Sequence, residues 1–334
     1  MRKVFQLWGL ENEGGMQEEK VLNAVERMLR VKPEYIVAGQ TENRELLKEI
    51  SRRAHDAGVK VHQWASLFSE NDFAKLFDGL IGADGKPQER VFGNNFNFRC
   101  PASEKNVRLF IEMQQESMRD TGIDGVFLDR VRYPAFGNGA LACFCPECIK
   151  RMQADGIDTD QIASMTDYGI VGFANGRHLF KDENTTRFFA HRAEAITRAV
   201  KLLRETFGEV SLDLFPPALA YLMGQDLESL APLAAFVKPM FYRYTTAPAG
   251  LPFEMDSFPQ FTMTEEEQLK AYEALVPNLF WGVEGVYVPG IAEMNPDRIR
   301  ESIGVIKQNG GTGLCASWSA VHFPKENLDV FLEA

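Results

Sequence analysis

Histidine is scarce in this chain, five residues in 334, and His55, His62, His178, His191 and His322 stand far apart. The first apolar run carries no histidine from Gln6 to Trp8, so it lacks the paired histidines of an amidohydrolase-type metal centre. A late glycine-rich anion nest is missing too. Gly310, Gly311 and Gly313 precede the last apolar run instead of following it, which argues against a phosphate-binding barrel. No stretch of about 20 apolar residues occurs, and the amino-terminal run from Val4 to Leu10 turns acidic and glycine-rich too soon for a secretory core. The expectation is therefore a cytoplasmic protein with no membrane partner. Basic residues are outnumbered 36 to 47, a net charge of −11, which argues against nucleic acid or anionic lipid as a partner, since either wants a basic surface. A neutral or cationic small substrate fits better. Self-association as a homo-oligomer is left open. No Pro/Ser-rich linker, short repeat or low-complexity tract divides the chain, so residues 1–334 are read as a single domain.

What is present is a sequence arranged around Gly122 to Pro134, GIDGVFLDRVRYP. The apolar run Val126 to Leu128 ends abruptly in Asp129, then Arg130, Arg132 and Tyr133, before Pro134 stops the strand. Strands of a parallel sheet covered on both faces are apolar throughout and carry polar groups where they emerge at the carboxyl end, so chemistry is expected just after Leu128. Seven further apolar runs alternate with amphipathic stretches: Val4–Trp8, Tyr35–Ala38, Val59–Trp64, Val210–Phe215, Phe236–Tyr242, Leu279–Tyr287 and Gly313–Trp318. Eight such pairs predict an α/β fold, a (β/α)8 TIM barrel. Long loops follow the third and fourth strands, at about 66–102 and 135–184, the first with a weak helix near Asn71 to Phe77. Ser103, the Thr264/Glu267 capping box and Asn295-Pro296 mark helix starts.

Three of the five cysteines lie in CFCPEC. Cys143, Cys145 and Cys148 have spacing that lets three thiolates converge on one ion, and Cys100, at the end of the other long loop, is the natural fourth ligand. A structural Zn2+ clipping the two loops is the expectation, with no organic cofactor; free buried cysteines are the alternative. Cys315, inside the eighth run, reads as a core thiol.

The pairing of RCPASEKNVR (Arg99 to Arg108) with CFCPECIKRM (Cys143 to Met152) is similar to the zinc-binding cysteines of family 42 β-galactosidases. DGVFLDRVRYP resembles the fourth-strand motif of uncharacterised glycosyl-hydrolase-like barrels and, more loosely, of α-amylase-type enzymes. The resemblance implies a glycosidase, a carbohydrate substrate and two catalytic carboxyl groups. It also has departures. Where family 42 enzymes place Asn-Glu after the fourth strand, this chain has Asp129-Arg130, so that acid does not carry over; Glu284 is the positional counterpart of their seventh-strand nucleophile. The amylase-like resemblance makes Asp129 the nucleophile and leaves only Asp213 as a fifth-strand acid.

Glycosidic bonds are cleaved by two carboxyl groups flanking the anomeric carbon, and Asp129 and Glu284, on the fourth and seventh runs, would face each other across the barrel mouth. Glu284 lies among Trp281, Val283 and Val286, where desolvation favours the neutral acid, whereas Arg130 and Arg132 would keep Asp129 ionised. The plainer readings are an arginine pair for Asp129 and a buried salt bridge for Glu284; Asp213 reads as an orienting group. Sugar faces call for aromatic platforms edged by planar polar groups, and the strand ends offer Trp8, Gln63, Trp64, Arg132, Tyr133, Asp213, Tyr242, Arg243, Trp318 and His322. Asn94, Asn95 and Arg99 are rim candidates, and Arg132 and Arg243 would suit an acidic sugar. A non-catalytic carbohydrate-binding barrel, or a lyase or transglycosylase on the same scaffold, are the rival readings.

Overall fold

The structure, a computed structural model of all 334 residues, describes residues 1–7, 18–39, 41, 43–70, 76–88, 97–135, 139–257 and 263–334. Eight short strands form its centre: β1 Arg2–Leu7, β2 Tyr35–Ala38, β3 Lys60–Ser66, β4 Gly125–Asp129, β5 Val210–Leu214, β6 Val237–Pro239, β7 Trp281–Glu284 and β8 Gly313–Ser317. They pair in parallel in the order β6, β5, β4, β3, β2, β1, β8, β7. Isolated parallel bridges from Val237 to Leu279 and Met240 to Gly282 join β6 to β7, so the sheet closes into a barrel. This is the expected (β/α)8 architecture.

Twelve α-helices occur among the described residues: α1 Glu18–Leu29, α2 Arg44–Asp56, α3 Glu104–Met118, α4 Pro146–Ala154, α5 Thr159–Ala163, α6 Glu183–Phe207, α7 Pro217–Ala220, α8 Leu227–Leu230, α9 Leu251–Ser257, α10 Glu265–Leu275, α11 Pro296–Gln308 and α12 Lys325–Glu333. The sequence caps act where expected. Ser103 accepts from the Asn106 amide, Thr264 and Glu267 form the reciprocal capping box, and Asn295 accepts from Asp297 and Arg298 with Pro296 in the first turn.

Side chains alternate across each strand, so one set faces the helices and the other fills the barrel. Val4, Val37, Phe127, Phe236, Phe280 and Cys315 form that inner plug, with Tyr35 and Trp64 packed on it. Cys315 is the core thiol expected. Below the plug, His62 is buried between the Ser211 hydroxyl, 2.9 Å from Nδ1, and Glu209, 3.2 Å from Nε2. A barrel stoppered in this way has one place for chemistry, the carboxyl ends of its strands.

The two long loops fold as small additions on that face. In the first, Ser69–Glu70 pairs with Asn97–Phe98, and Arg99 is buried with Nη1 donating to Leu67 O and its guanidinium 3.5 Å above the Phe77 ring. Arg99 is thus a loop-building residue and not a rim contact. The weak helix expected near Asn71 to Phe77, and the rim candidates Asn94 and Asn95, lie largely or wholly outside the described residues. The second loop holds α4, α5 and a hairpin of Ile170–Ala174 with Arg177–Phe180.

Candidate active site

Strand alternation assembles the mouth. Each polar group there lies two residues, one pleat, beyond an inward residue on the same strand: Gln6 beyond Val4, Asp129 beyond Phe127, Asp213 beyond Ser211, Lys238 beyond Phe236 and Ser317 beyond Cys315. Glu284 follows Phe280 by two pleats. Four ionisable side chains from four neighbouring or facing strands therefore converge above the plug.

The most buried feature is a lysine. Lys238 has no exposed surface, and its Nζ donates to both oxygens of Asp213, at 3.0 and 2.9 Å, and to the Tyr242 hydroxyl. Room for its stem comes from Gly282 on β7, where a Cβ would come within 2.3 Å of Lys238 Cε. The pairing keeps the ammonium charged, since both carboxylate oxygens point at it. Burial pushes the Asp213 carboxyl up to about 7, with Lys238 pulling the other way and Asp129 adding to the rise. Sequence reasoning missed Lys238, although a charge inside the apolar run FVKPMFY was a signal of the kind that singled out Glu284.

Glu284 is also fully buried, 0% exposed. Its Oε1 accepts from the Tyr244 amide at 3.1 Å and the Thr245 hydroxyl at 3.2 Å, while Oε2 has no hydrogen-bond partner among the described residues. Burial pushes this carboxyl up to about 7. Among the described residues Glu284 forms no salt bridge of the kind weighed for it, and Lys238 is turned to Asp213. Asp129 differs: its side chain is 22% exposed, Oδ1 accepts from the Arg130 amide at 2.6 Å, and Oδ2 lies 3.9 Å from Arg130 Nε. Arg130 itself reaches over the end of β3 to Ser66 Oγ at 3.3 Å.

Of the expected substrate contacts, Arg132, Tyr242, Trp318 and Trp64 lie at the carboxyl end of the barrel with Asp213. Arg132 sits between the Phe98 and Phe215 rings at 5.0 and 4.6 Å, and its charge bears on Asp213. Trp318 meets Tyr242 edge-on at 6.2 Å. His322 is exposed on the turn after β8. Three expectations are corrected. Gln63 has the opposite strand parity to Trp64, is buried, and donates to Ser117 on α3. Tyr133 is buried beneath Arg192 of α6, 4.3 Å from its ring. Arg243 is paired with Glu265 on α10 and Glu301 on α11, at 2.8 and 3.1 Å, which neutralises the charge expected to suit an acidic sugar. Trp8 lies outside the described residues.

Beside the mouth, Cys100, Cys143, Cys145 and Cys148 bring their sulfurs within 4.8 Å of one another, with Cys100 and Cys148 at 3.4 Å. Four sulfurs bound to zinc at about 2.3 Å would be about 3.8 Å apart, so the cluster fits a tetrahedral ion with little adjustment. Cys145 is the N-cap of α4 and Cys148 stands in its first turn, so one helix start carries two of the four sulfurs. The four could hold a metal ion. All four positions would then be filled, leaving none open for substrate.

Solved structures that include glycoside hydrolase domains share this closed parallel barrel. The glycoside hydrolase domain of PgaB (BpsB) from Bordetella bronchiseptica superposes with a TM-score of 0.69 over 96% of this chain and 95% of that one, at 13% identity. A β-galactosidase from the psychrophilic Marinomonas ef1 gives 0.60 over 100% of this chain and 58% of its own, at 11% identity, and the β-amylase catalytic domain from Paenibacillus polymyxa 0.54 over 99% and 97%, at 10%. No protein-family model and no curated protein matches the sequence. At these identities the likeness is one of fold.

Proposed function

We propose that this protein is a glycoside hydrolase that acts on a carbohydrate substrate with Asp129 and Glu284. The observation that carries the reading is Glu284: a buried carboxyl, favoured neutral to about pH 7, with one oxygen held by Tyr244 and Thr245 and the other unpartnered among the described residues. A neutral acid with a free oxygen is what protonation of a glycosidic oxygen requires. Asp129, partly open to solvent on β4, is the carboxylate that attacks the anomeric carbon or activates water. The leaving sugar takes the Glu284 proton, and water supplies the hydroxyl and the returning proton. Because Glu284 has no exposed surface, substrate must part the side chains above it, which belongs to the reading and to its test.

A second assignment has its own support. Asp213 is also raised to about 7, partly by Asp129, so the two form an acid/base pair in which Lys238 positions the acid. The experiment is a screen of purified protein against a panel of glycosides and oligosaccharides, followed by D129N, E284Q and D213N. Each of D129N and E284Q should lose about a hundredfold or more of turnover while the protein still folds. If E284Q keeps its turnover and D213N does not, the acid is Asp213. A wild type that binds a sugar and hydrolyses none would leave the carbohydrate-binding reading.

The four-cysteine site is read in the same way as a structural zinc centre. It would tie the loop after β3 to the loop after β4, and so hold Arg132 and the β4 exit at the mouth.

A further inference from the structure

Two buried oxygens at the mouth have no hydrogen-bond partner among the described residues. One is Glu284 Oε2; the other is Oε1 of Gln6, which stands one pleat above Val4 of the plug and is 2% exposed. The strand register sets the two residues near one another. β1 pairs with β8 through Val4 with Cys315 and Phe5 with Ala316, so the next step lays Gln6 beside Ser317, and β8 in turn pairs Ser317 with Glu284 of β7. Gln6, Ser317 and Glu284 are therefore neighbours on the inner wall of three adjoining strands, and two strand spacings put the outer pair on the order of 10 Å apart. Ser317 stands between the two oxygens and serves neither. Its hydroxyl is turned down to the Cys315 carbonyl, at 3.5 Å, and the Cys315 sulfur, at 3.7 Å.

A buried amide oxygen without a donor is unfavourable in the folded protein, so it calls for a partner that arrives from outside. Under the reading above, Glu284 Oε2 gives its proton to the glycosidic oxygen. Gln6 Oε1 can only accept, and the group it meets must be a donor. A sugar ring carries hydroxyls around its edge and fills a gap of this width between two hydrogen-bonding walls. We infer that Gln6 is a substrate-binding residue, its amide oxygen accepting from a hydroxyl of the sugar whose glycosidic oxygen meets Glu284. The inference rests on the hydrolase reading and deepens it, because it sets a condition on the substrate: the sugar presents a free hydroxyl to the β1 wall, where a carboxylate or an acylated oxygen would bring no donor.

The test is kcat/KM of wild type and Q6M on the glycoside found by the panel screen and on monodeoxy versions of it, with thermal melting of both proteins. Q6M keeps the volume and removes the acceptor. It should lose about tenfold in kcat/KM, the effect of one hydrogen bond that the site is built to make. One monodeoxy substrate should lose about as much with wild type, and on that substrate Q6M should be no worse than wild type. Melting should move the other way: no described residue uses the amide oxygen, so Q6M melts at or above wild type. Equal kcat/KM for the two proteins on the intact substrate would overturn the inference and leave Glu284 as the acid. A Q6M protein that melts below wild type and loses the same factor on every deoxy substrate, or that does not fold, would also overturn it, since Gln6 would then be holding the barrel and not the sugar. Wild type that hydrolyses no glycoside would instead remove the hydrolase reading, and this contact with it.

Discussion

Glu284 shows how one residue can be read from its neighbours in sequence and then sharpened by structure. An acid between apolar residues on a strand signalled desolvation, and the structure adds which oxygen is held and which has no partner among the described residues. The pKa shift has a stability consequence. A carboxyl raised from 4.5 to about 7 in the folded state favours the folded protein in its neutral form, so the contribution is fully present below pH 4.5 and is lost as pH rises through 7. Equilibrium unfolding should therefore show wild type losing about 3 kcal/mol between pH 4.5 and 8 from this group, and E284Q should abolish that slope. An identical pH dependence in both would mean that Glu284 ionises freely. Lys238 was legible by the same logic and overlooked, whereas Arg192 was not legible: a lone arginine on an amphipathic helix reads as surface until the tertiary packing buries it.

At the scale of the element, strand parity decided more than strand position. Gln63 and Trp64 end the same run, yet the pleat sends one to α3 and the other into the barrel; Arg243, past the end of β6, is drawn out to two helix carboxylates. Periodicity in sequence locates runs but does not fix which face each terminal residue takes once a loop begins. The insertion after β4 held a readable signal, Asn175-Gly176, whose positive φ angles of 51° and 74° make the two-residue turn of the hairpin. That hairpin is anchored by Arg177, which grips Asp226 with two bonds of 2.8 and 2.7 Å. The closure between β6 and β7 depends on a missing side chain. In G282A the added methyl would meet Lys238 Cε at 2.3 Å and the Pro239 carbonyl at 2.8 Å, so the variant should lose about 1–3 kcal/mol in denaturant unfolding, where unchanged stability would show that the two strands can part.

For the molecule as a whole, the eight-run pattern was enough to predict the barrel, because alternation of buried strands with amphipathic helices has few other solutions. The loops were less legible. Their cysteines announced a metal-sized cluster, but the additions around them are held by irregular contacts, such as the Cys100 carbonyl accepting from Asn106, that no period encodes. The barrel brings acids from β4, β5 and β7 to one mouth, and the proposed chemistry requires one of them to stay protonated near neutrality. The rate of glycoside hydrolysis as a function of pH tests that requirement most directly. The account predicts a rate that falls above about pH 7 as the buried acid ionises, and that is lost across the range in E284Q. A rate flat through pH 8, or an E284Q enzyme that hydrolyses as the wild type does, would contradict it.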